Sequence, residues 1–149
     1  MRKNAFTMIE LIFVIVILGI LASVAIPKLS ATRTDAEISK VAHNVMLSTA
    51  EIASYAVSNG QTVNDLKLMS NGVVSLQSSG NAILTDNKAV VSMGGVNDCV
   101  TLEVVTVDTT DTLVVTFGVA GADNQCLSLQ SAIDVAQYPM KLRGQNVQY

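Results

Sequence analysis

The sequence predicts an α+β protein in which one long N-terminal helix packs on a small antiparallel sheet. Three observations lead to this fold class: an apolar run at residues 6–27, an amphipathic helical pattern at 28–60, and Val- and Thr-rich segments after residue 88. The chain of 149 residues is long enough for one helix-anchored domain. We therefore expect residues 61–149 to form a globular head behind the two helical segments.

The apolar run begins at Phe6 and ends at Pro27. A helix rising about 1.5 Å per residue from Phe6 to Ala25 would cross the roughly 30 Å of hydrocarbon in a bilayer. From Leu11 to Leu21 no residue is polar, whereas a core helix of a soluble protein normally has one polar face. The run therefore predicts a transmembrane helix.

Glu10 is the one acidic residue in this run. An unpaired, ionised carboxylate in hydrocarbon costs about 2.5–3.5 kcal/mol, so we expect it to have a partner. No Lys, Arg or His lies between Glu10 and Lys28, which leaves a free α-amino group as the nearby cation. If the chain were cut before Phe6, the new amine of a neighbouring copy could reach Glu10. The acid therefore predicts assembly.

Arg2 and Lys3 lie near the N terminus, followed by Ala5 and by the sequence FTMIEL that opens the apolar run ending at Pro27. This arrangement resembles the prepilin signature of type IV pilins and of the pseudopilins of type II secretion and DNA-uptake machines. The resemblance implies that residues 1–5 are a leader, that a prepilin peptidase cuts between Ala5 and Phe6, and that the Phe6 amine is methylated. The chain has Ala5 where the family usually has glycine.

The resemblance also implies how subunits would assemble. Glu10 would pair with the Phe6 amine of the adjacent subunit, and Gly19 and Pro27 would bracket a segment that loosens in the filament. Glycine weakens a helix interior and proline removes a backbone hydrogen bond, which agrees with such a weak point. The implied partners are other copies or related subunits, the prepilin peptidase, an inner-membrane assembly platform and, before assembly, membrane lipid. The implied location is the bacterial inner membrane, with a pilin-like head outside the cytoplasm, and later a periplasmic or cell-surface filament.

Two other interpretations of the N terminus stay open. Residues 1–25 also have the form of a secretory signal, with Ser23, Val24 and Ala25 as its cleavage site. Alternatively, the run is a plain single-span anchor for a binding domain that does not polymerise. Both leave Glu10 unexplained. The sequence does not distinguish a pilus from a secretion or DNA-uptake machine, or a major from a minor subunit.

The helical pattern continues from residue 28 to about residue 58 and becomes amphipathic. The apolar stripe, which recurs at three- and four-residue steps, consists of Ile38, Val41, Ala42, Val45, Thr49, Ile52, Ala53 and Ala56. His43, the single histidine, falls off this stripe and is predicted to be solvated. Asn59 and Gly60 predict the end of the helix.

The remaining segments are shorter. Residues 61–87 are predicted to be a loop-rich connector, with a short helix near residues 63–69. Strands are predicted at 89–93, 100–107 and 113–119 as an antiparallel meander, with a bulge near Val104. Residues 127–136 are expected to form a short strand or one helical turn. A last edge strand is expected through Leu142 and Val147.

Cys99 and Cys126 are the two cysteines of the chain. An even pair in an exported domain predicts a disulfide more often than a metal site. Pairing of the last two predicted strands of the meander about Thr109 and Thr110 would place Cys99 opposite Ala122, a few residues from Cys126. The bond is therefore geometrically feasible.

The motifs of common enzymes are not found in the sequence, which has no P-loop, G-x-S-x-G, H-E-x-x-H or C-x-x-C. We therefore predict a structural protein with no catalytic residue, no cofactor and no metal. The formal net charge of −3, without a basic cluster beyond the N terminus, argues against a general nucleic-acid surface. Four acids lie on predicted loops: Asp98, Asp108, Asp111 and Asp123. Some major pseudopilins bind calcium through an acidic loop, but these four acids lack the spacing of a calcium loop and are interpreted as turn residues.

Overall fold

The computed structural model describes residues 7–107 and 110–142. Its helices are α1 (Met8–Asn59), α2 (Leu66–Met69), α3 (Asn71–Ser78) and α4 (Asn124–Ser131). Its strands are β1 (Ala82–Thr85), β2 (Lys88–Met93), β3 (Val96–Val107), β4 (Thr110–Phe117) and β5 (Met140–Lys141). A long N-terminal helix followed by a small antiparallel sheet confirms the predicted α+β class.

The chain divides into two contact units between Ala36 and Glu37. The described part of the first unit is the N-terminal half of α1, where the large apolar side chains are exposed. The second unit is the head, which contains the rest of α1, the other helices and the whole sheet. Within residues 7–107 and 110–142, the buried core lies in the head.

The head half of α1 packs on the sheet through the predicted stripe. Ile38, Val41, Ala42, Val45, Thr49, Ile52 and Ala56 are all buried, and His43 is exposed, as the sequence predicted. Ser48 is also fully buried, because its hydroxyl donates to the Asn44 carbonyl 2.6 Å away and so needs no water. One cluster of buried apolar side chains joins this face to α2, α3, α4 and the inner face of the sheet.

The connector at residues 61–87 has more structure than predicted. The predicted short helix is present as α2, whereas helix α3 and strand β1 occupy residues that the sequence predicts to be loop. The residues that interrupted the apolar pattern are helix caps: Asp65 accepts a hydrogen bond from the Lys67 N–H, and Ser70 accepts one from the Val73 N–H. Asp and Ser favour both loops and N-caps, which explains the error.

The sheet is the predicted antiparallel meander, with strand order β1-β2-β3-β4-β5. The prediction of a bulge near Val104 is wrong, because β3 pairs with β4 without interruption from Val100 to Val107. The register shifts instead in the β2–β3 pair, where Val91 pairs with Val100 but Met93 pairs with Val96, so the extra residues lie at 97–99 of β3. Val107 is 58% exposed, so the apolar residues late in β3 lie on the outer face and require no change of register.

The register of β3 and β4 corrects a second expectation. Val107 pairs with Thr110, so the Gly118 N–H donates to the Cys99 carbonyl at 3.1 Å, and Gly118 rather than Ala122 lies level with Cys99. The partner of Cys99 is therefore displaced by four residues from the expected one.

The C-terminal part of the head combines one helix with a short edge strand. Residues 124–131 form helix α4, so the helical alternative for this region is correct and the strand alternative is wrong. Strand β5 pairs with β4, and Leu142 next to it is buried, as predicted for the last edge strand. The Tyr138–Pro139 peptide bond is cis. The expectation for Val147 lies outside the described residues.

Candidate functional site

The start of α1 is organised by Thr7 and Glu10. Oε2 of Glu10 accepts hydrogen bonds from the Thr7 backbone N–H at 2.8 Å and from the Thr7 hydroxyl at 2.7 Å. The Glu10 N–H in turn donates to the Thr7 hydroxyl oxygen at 3.4 Å. This reciprocal pattern is a capping box, in which two residues satisfy backbone N–H groups that the first helical turn leaves unpaired.

The capping box gives Glu10 a partner in its own chain, which the sequence reasoning missed. The spacing T-x-x-E before an apolar run is the signal that would have revealed it. Thr7 supplies neutral donors, so it satisfies the acceptor oxygen without neutralising the charge. Ala5 and Phe6, the predicted processing residues, lie outside the described residues.

The apolar half of α1 presents hydrophobic side chains on every face. Between Met8 and Leu29 the exposed fraction of the large apolar side chains ranges from 41% at Ile17 to 86% at Met8. Among the described residues, α1 is the one helix that is long and apolar enough to cross a membrane, a test that secretory signals also pass. Exposed apolar surface on this scale indicates contact with lipid or with other proteins.

Gly19 and Pro27 both lie inside α1, which continues through them as one helix. A Cβ atom at Gly19 would meet no heavy atom within 4 Å, so no contact in this chain requires glycine there. Pro27 has no N–H to donate, so the turn before it lacks one helical hydrogen bond. The predicted loosening between these residues concerns the assembled form and stays a prediction.

Residues 1–26 match the family model described as the prokaryotic N-terminal methylation motif. The chain carries a type IV prepilin-like signature. This match confirms the resemblance drawn from Arg2 to Pro27. Comparisons with curated proteins and with solved structures find no significant match. The matched segment ends within α1, so the motif describes the N terminus and not the head.

The head contains the predicted disulfide between Cys99 and Cys126. Their Cα atoms are 5.7 Å apart and both side chains are fully buried. Next to the bond, the Gln130 side-chain amide donates to the Cys99 carbonyl at 2.9 Å and to the Gly118 carbonyl at 3.0 Å. The disulfide and Gln130 together fix α4 against the ends of β3 and β4.

Asp123 connects α4 to the hairpin between β2 and β3. Its Oδ1 accepts the N–H groups of Gln125 at 3.0 Å and Cys126 at 2.9 Å, and its Oδ2 accepts the Gly95 N–H at 3.0 Å. These donors, with Gly95 the strongest, hold the pKa of Asp123 below its usual range. Asp123 is therefore an N-cap that also holds a distant hairpin in place.

The other two described acids of the predicted loops, Asp98 and Asp111, each have a separate structural partner. Asp98 accepts the Thr101 hydroxyl at 2.8 Å. Asp111 is 4% exposed and accepts the Thr106 hydroxyl at 2.8 Å and the Thr62 N–H at 3.2 Å. Within residues 7–107 and 110–142, no group of three or more His, Cys, Asp or Glu side chains could hold a metal ion. Asp108 lies outside those residues.

Proposed function

We propose that this chain is a structural subunit of a type IV pilus-like or type II secretion pseudopilus filament. The observation that carries the proposal is the N-terminal methylation motif at residues 1–26, because that motif is a processing signal. In this proposal a prepilin peptidase removes residues 1–5, cutting between Ala5 and Phe6, and Phe6 is then N-methylated. The chain acts mechanically and has no catalytic role.

The exposed apolar half of α1 supports assembly through this helix. Its side chains are uncovered on all faces, so lipid satisfies them in the membrane and other apolar helices must cover them outside it. Complete burial of one large aliphatic side chain is worth about 1.5–3 kcal/mol, so neighbouring helices could compensate for extraction from lipid. Copies that pack head to tail without closing a ring would form an open helical filament.

Glu10 supports a specific axial register between subunits. The Thr7 hydrogen bonds satisfy its oxygen but leave a net negative charge in apolar surroundings. The Phe6 amine of an adjacent copy would supply the opposite charge. A register that left Glu10 without this amine would lose about 2.5–3.5 kcal/mol, the insertion penalty of a charged residue, so wrong registers would be disfavoured.

The disulfide supports a head outside the cytoplasm. Bonded cysteines persist in oxidising compartments, and Cys99 and Cys126 are bonded in the head. We infer a single-pass inner-membrane precursor whose partners are membrane lipid, the prepilin peptidase, an assembly platform and other subunits. After extraction from the membrane, the filament would lie in the periplasm or at the cell surface.

The test is the mass of the mature N terminus, measured with and without an active prepilin peptidase in the same bacterial host. We expect N-methylated Phe6 with the enzyme, Met1 without it, and filaments by electron microscopy only in the first case. A chain that keeps residues 1–5 in the presence of the enzyme, and forms no filament, would identify a single-span anchored domain. A chain that begins at Ile26 would identify an ordinary secreted protein, and either result would overturn the proposal.

A further inference from the structure

Thr7 fixes the residue at which the long helix begins. Its own backbone is not helical, α1 begins at Met8, and the Thr7 carbonyl accepts a helical hydrogen bond from the Leu11 N–H at 3.3 Å. The Thr7 hydroxyl oxygen also accepts the Glu10 N–H at 3.4 Å, which is the hydrogen bond of an N-cap. A side chain therefore sets the start of α1.

Asn4 could cap the same helix one turn earlier. It stands three residues before Thr7 in the sequence and lies outside the described residues. Asparagine is among the best N-caps, and the earlier start would add a turn of helix. The later start has a different advantage, the reciprocal hydrogen bonds of Thr7 and Glu10. The earlier start has no such capping box, because the residue three positions after Asn4 is neither Glu nor Gln.

The two starts differ in their effect on the bond that the prepilin peptidase is proposed to cut. That bond, between Ala5 and Phe6, precedes the first residue of α1 by two positions. In a helix capped by Asn4, the Ile9 N–H would donate to the Ala5 carbonyl, and the bond would lie in the first helical turn. Peptidases act on backbone that is free of such hydrogen bonds, so the earlier start would protect the bond.

We propose that Thr7 is a positioning residue for removal of the leader, because its cap holds the start of α1 after the bond between Ala5 and Phe6. The inference rests on the proposed function, since it concerns the same cleavage. The methylation motif at residues 1–26 spans this helix start, which is an independent reason to expect processing there.

Thr7 takes no part in the bond changes themselves. In the cleavage, water adds to the Ala5 carbonyl carbon, the carbon–nitrogen bond to Phe6 breaks, and a proton from the water passes to the Phe6 nitrogen. Thr7 sets the fraction of chains in which this bond precedes the helix, and the peptidase acts on that fraction. Its cap therefore changes the rate of cleavage and not the position of the cut.

The two members of the capping box have different effects on processing. In Glu10→Leu the N–H of residue 10 can still donate to the Thr7 hydroxyl, so the N-cap remains although the bonds to the carboxylate are lost. In Thr7→Ala the hydroxyl is absent, and alanine, the best helix former, allows the helix to extend to Asn4. Glu10→Leu should therefore be cut faster than Thr7→Ala.

The experiment measures cleavage of the purified full-length chain in detergent by bacterial membranes that contain the prepilin peptidase. We expect Thr7→Ala to lower kcat/KM at least about threefold through a higher KM at unchanged kcat, because the earlier start removes competent substrate without altering the bound chain. Thr7→Ser restores the hydroxyl and should be cut at the parent rate. Long incubation should process Thr7→Ala completely.

Asn4→Ala provides the matched control. Alone it should leave the rate unchanged, because Thr7 already holds the helix start. Combined with Thr7→Ala it should restore most of the lost rate, because it removes the alternative cap. Hydrogen exchange at the Ile9 amide should be slower in Thr7→Ala than in the parent, and the double variant should reverse this change.

Two results would overturn the positioning role while leaving the proposed function intact. One is a Thr7→Ala chain that is cut at the parent rate, and the other is a slowly cut Thr7→Ala chain that Asn4→Ala does not rescue. A parent chain that the peptidase leaves uncut would overturn the proposed function, and this inference with it.

Discussion

Glu10 accepts two hydrogen bonds from Thr7 through a single oxygen, Oε2, at 2.8 Å from the backbone nitrogen and 2.7 Å from the hydroxyl. The side chain therefore has two separable properties, an acceptor that caps the helix and a negative charge. Glutamine keeps the acceptor and can complete a capping box, whereas leucine removes both properties. This difference allows the role of the charge to be tested apart from the role of the cap.

We predict that Glu10→Gln and Glu10→Leu both insert into the membrane and both impair filament assembly. Each removes the charge that would pair with the neighbouring Phe6 amine, and a loss of about 1.4 kcal/mol per contact lowers an association constant about tenfold. Membrane fractionation measures insertion, and electron microscopy of filaments measures assembly.

Thr7→Val and Glu37→Leu are the matched controls for the Glu10 variants. Thr7→Val removes the capping hydroxyl while keeping the Glu10 charge, and Glu37→Leu removes an exposed acid farther along the same helix. Both should assemble better than the Glu10 variants. Normal filaments from Glu10→Gln, together with poor filaments from Thr7→Val, would show that the cap and not the charge matters.

Gly72→Ala is predicted to destabilise the head by about 1–3 kcal/mol, the usual range for overpacking. The added methyl would lie 2.6 Å from the Ser48 hydroxyl oxygen, on a face where α3 approaches the α1 backbone. Urea unfolding followed by tyrosine fluorescence reports on the head, because all three tyrosines follow residue 37. Ser75→Ala, an exposed change on the same helix, should stay within about 0.5 kcal/mol of the parent. Equal midpoints for the two variants would contradict the close packing.

Asp123 should make the stability of the head depend on pH in the acid range. Its pKa is lower in the folded chain than in the unfolded chain, because the Gly95, Cys126 and Gln125 N–H groups donate to the carboxylate. The resulting stabilisation is present above the unfolded value, near pH 3.9, and is lost as the pH falls through the lower folded value.

Asp123→Asn is the control for this pH dependence, since asparagine can still cap α4 but does not titrate in this range. The difference in unfolding midpoint between the parent and this variant should shrink as the pH falls below about 4. A difference that stays constant from neutral to acid pH would show that the Asp123 charge does not contribute.

The parts of the fold that were predicted correctly have repeating local patterns. The buried stripe of α1 follows from apolar residues at three- and four-residue steps, and strands β2, β3 and β4 follow from runs of Val and Thr. The same approach failed at residues 61–87, because Asp65 and Ser70 cap helices there and resemble loop residues.

The contacts that sequence reasoning missed mostly join residues far apart in the chain. Asp123 accepts a hydrogen bond from the Gly95 N–H, which is 28 residues away in the sequence. Glu51 accepts one from the Gly72 N–H, which is 21 residues away. No local pattern encodes such a contact, because either residue would look the same without its partner. The Thr7–Glu10 pair is different, because its three-residue spacing is a local pattern that by itself predicts a capping box.

The Cys99–Cys126 disulfide is predicted to stabilise the head by about 3–4 kcal/mol, the value expected for cross-linking a loop of this length. The two residues are 27 positions apart, and the bond fixes α4 to the sheet at a fully buried position. We expect reductant to lower the urea midpoint of the parent chain, followed by tyrosine fluorescence. Cys99→Ala combined with Cys126→Ala should unfold at a low midpoint with or without reductant, because it has no bond to lose. If the reduced parent kept the midpoint of the oxidised one, Gln130 and the apolar contacts of α4 would be sufficient to hold the helix.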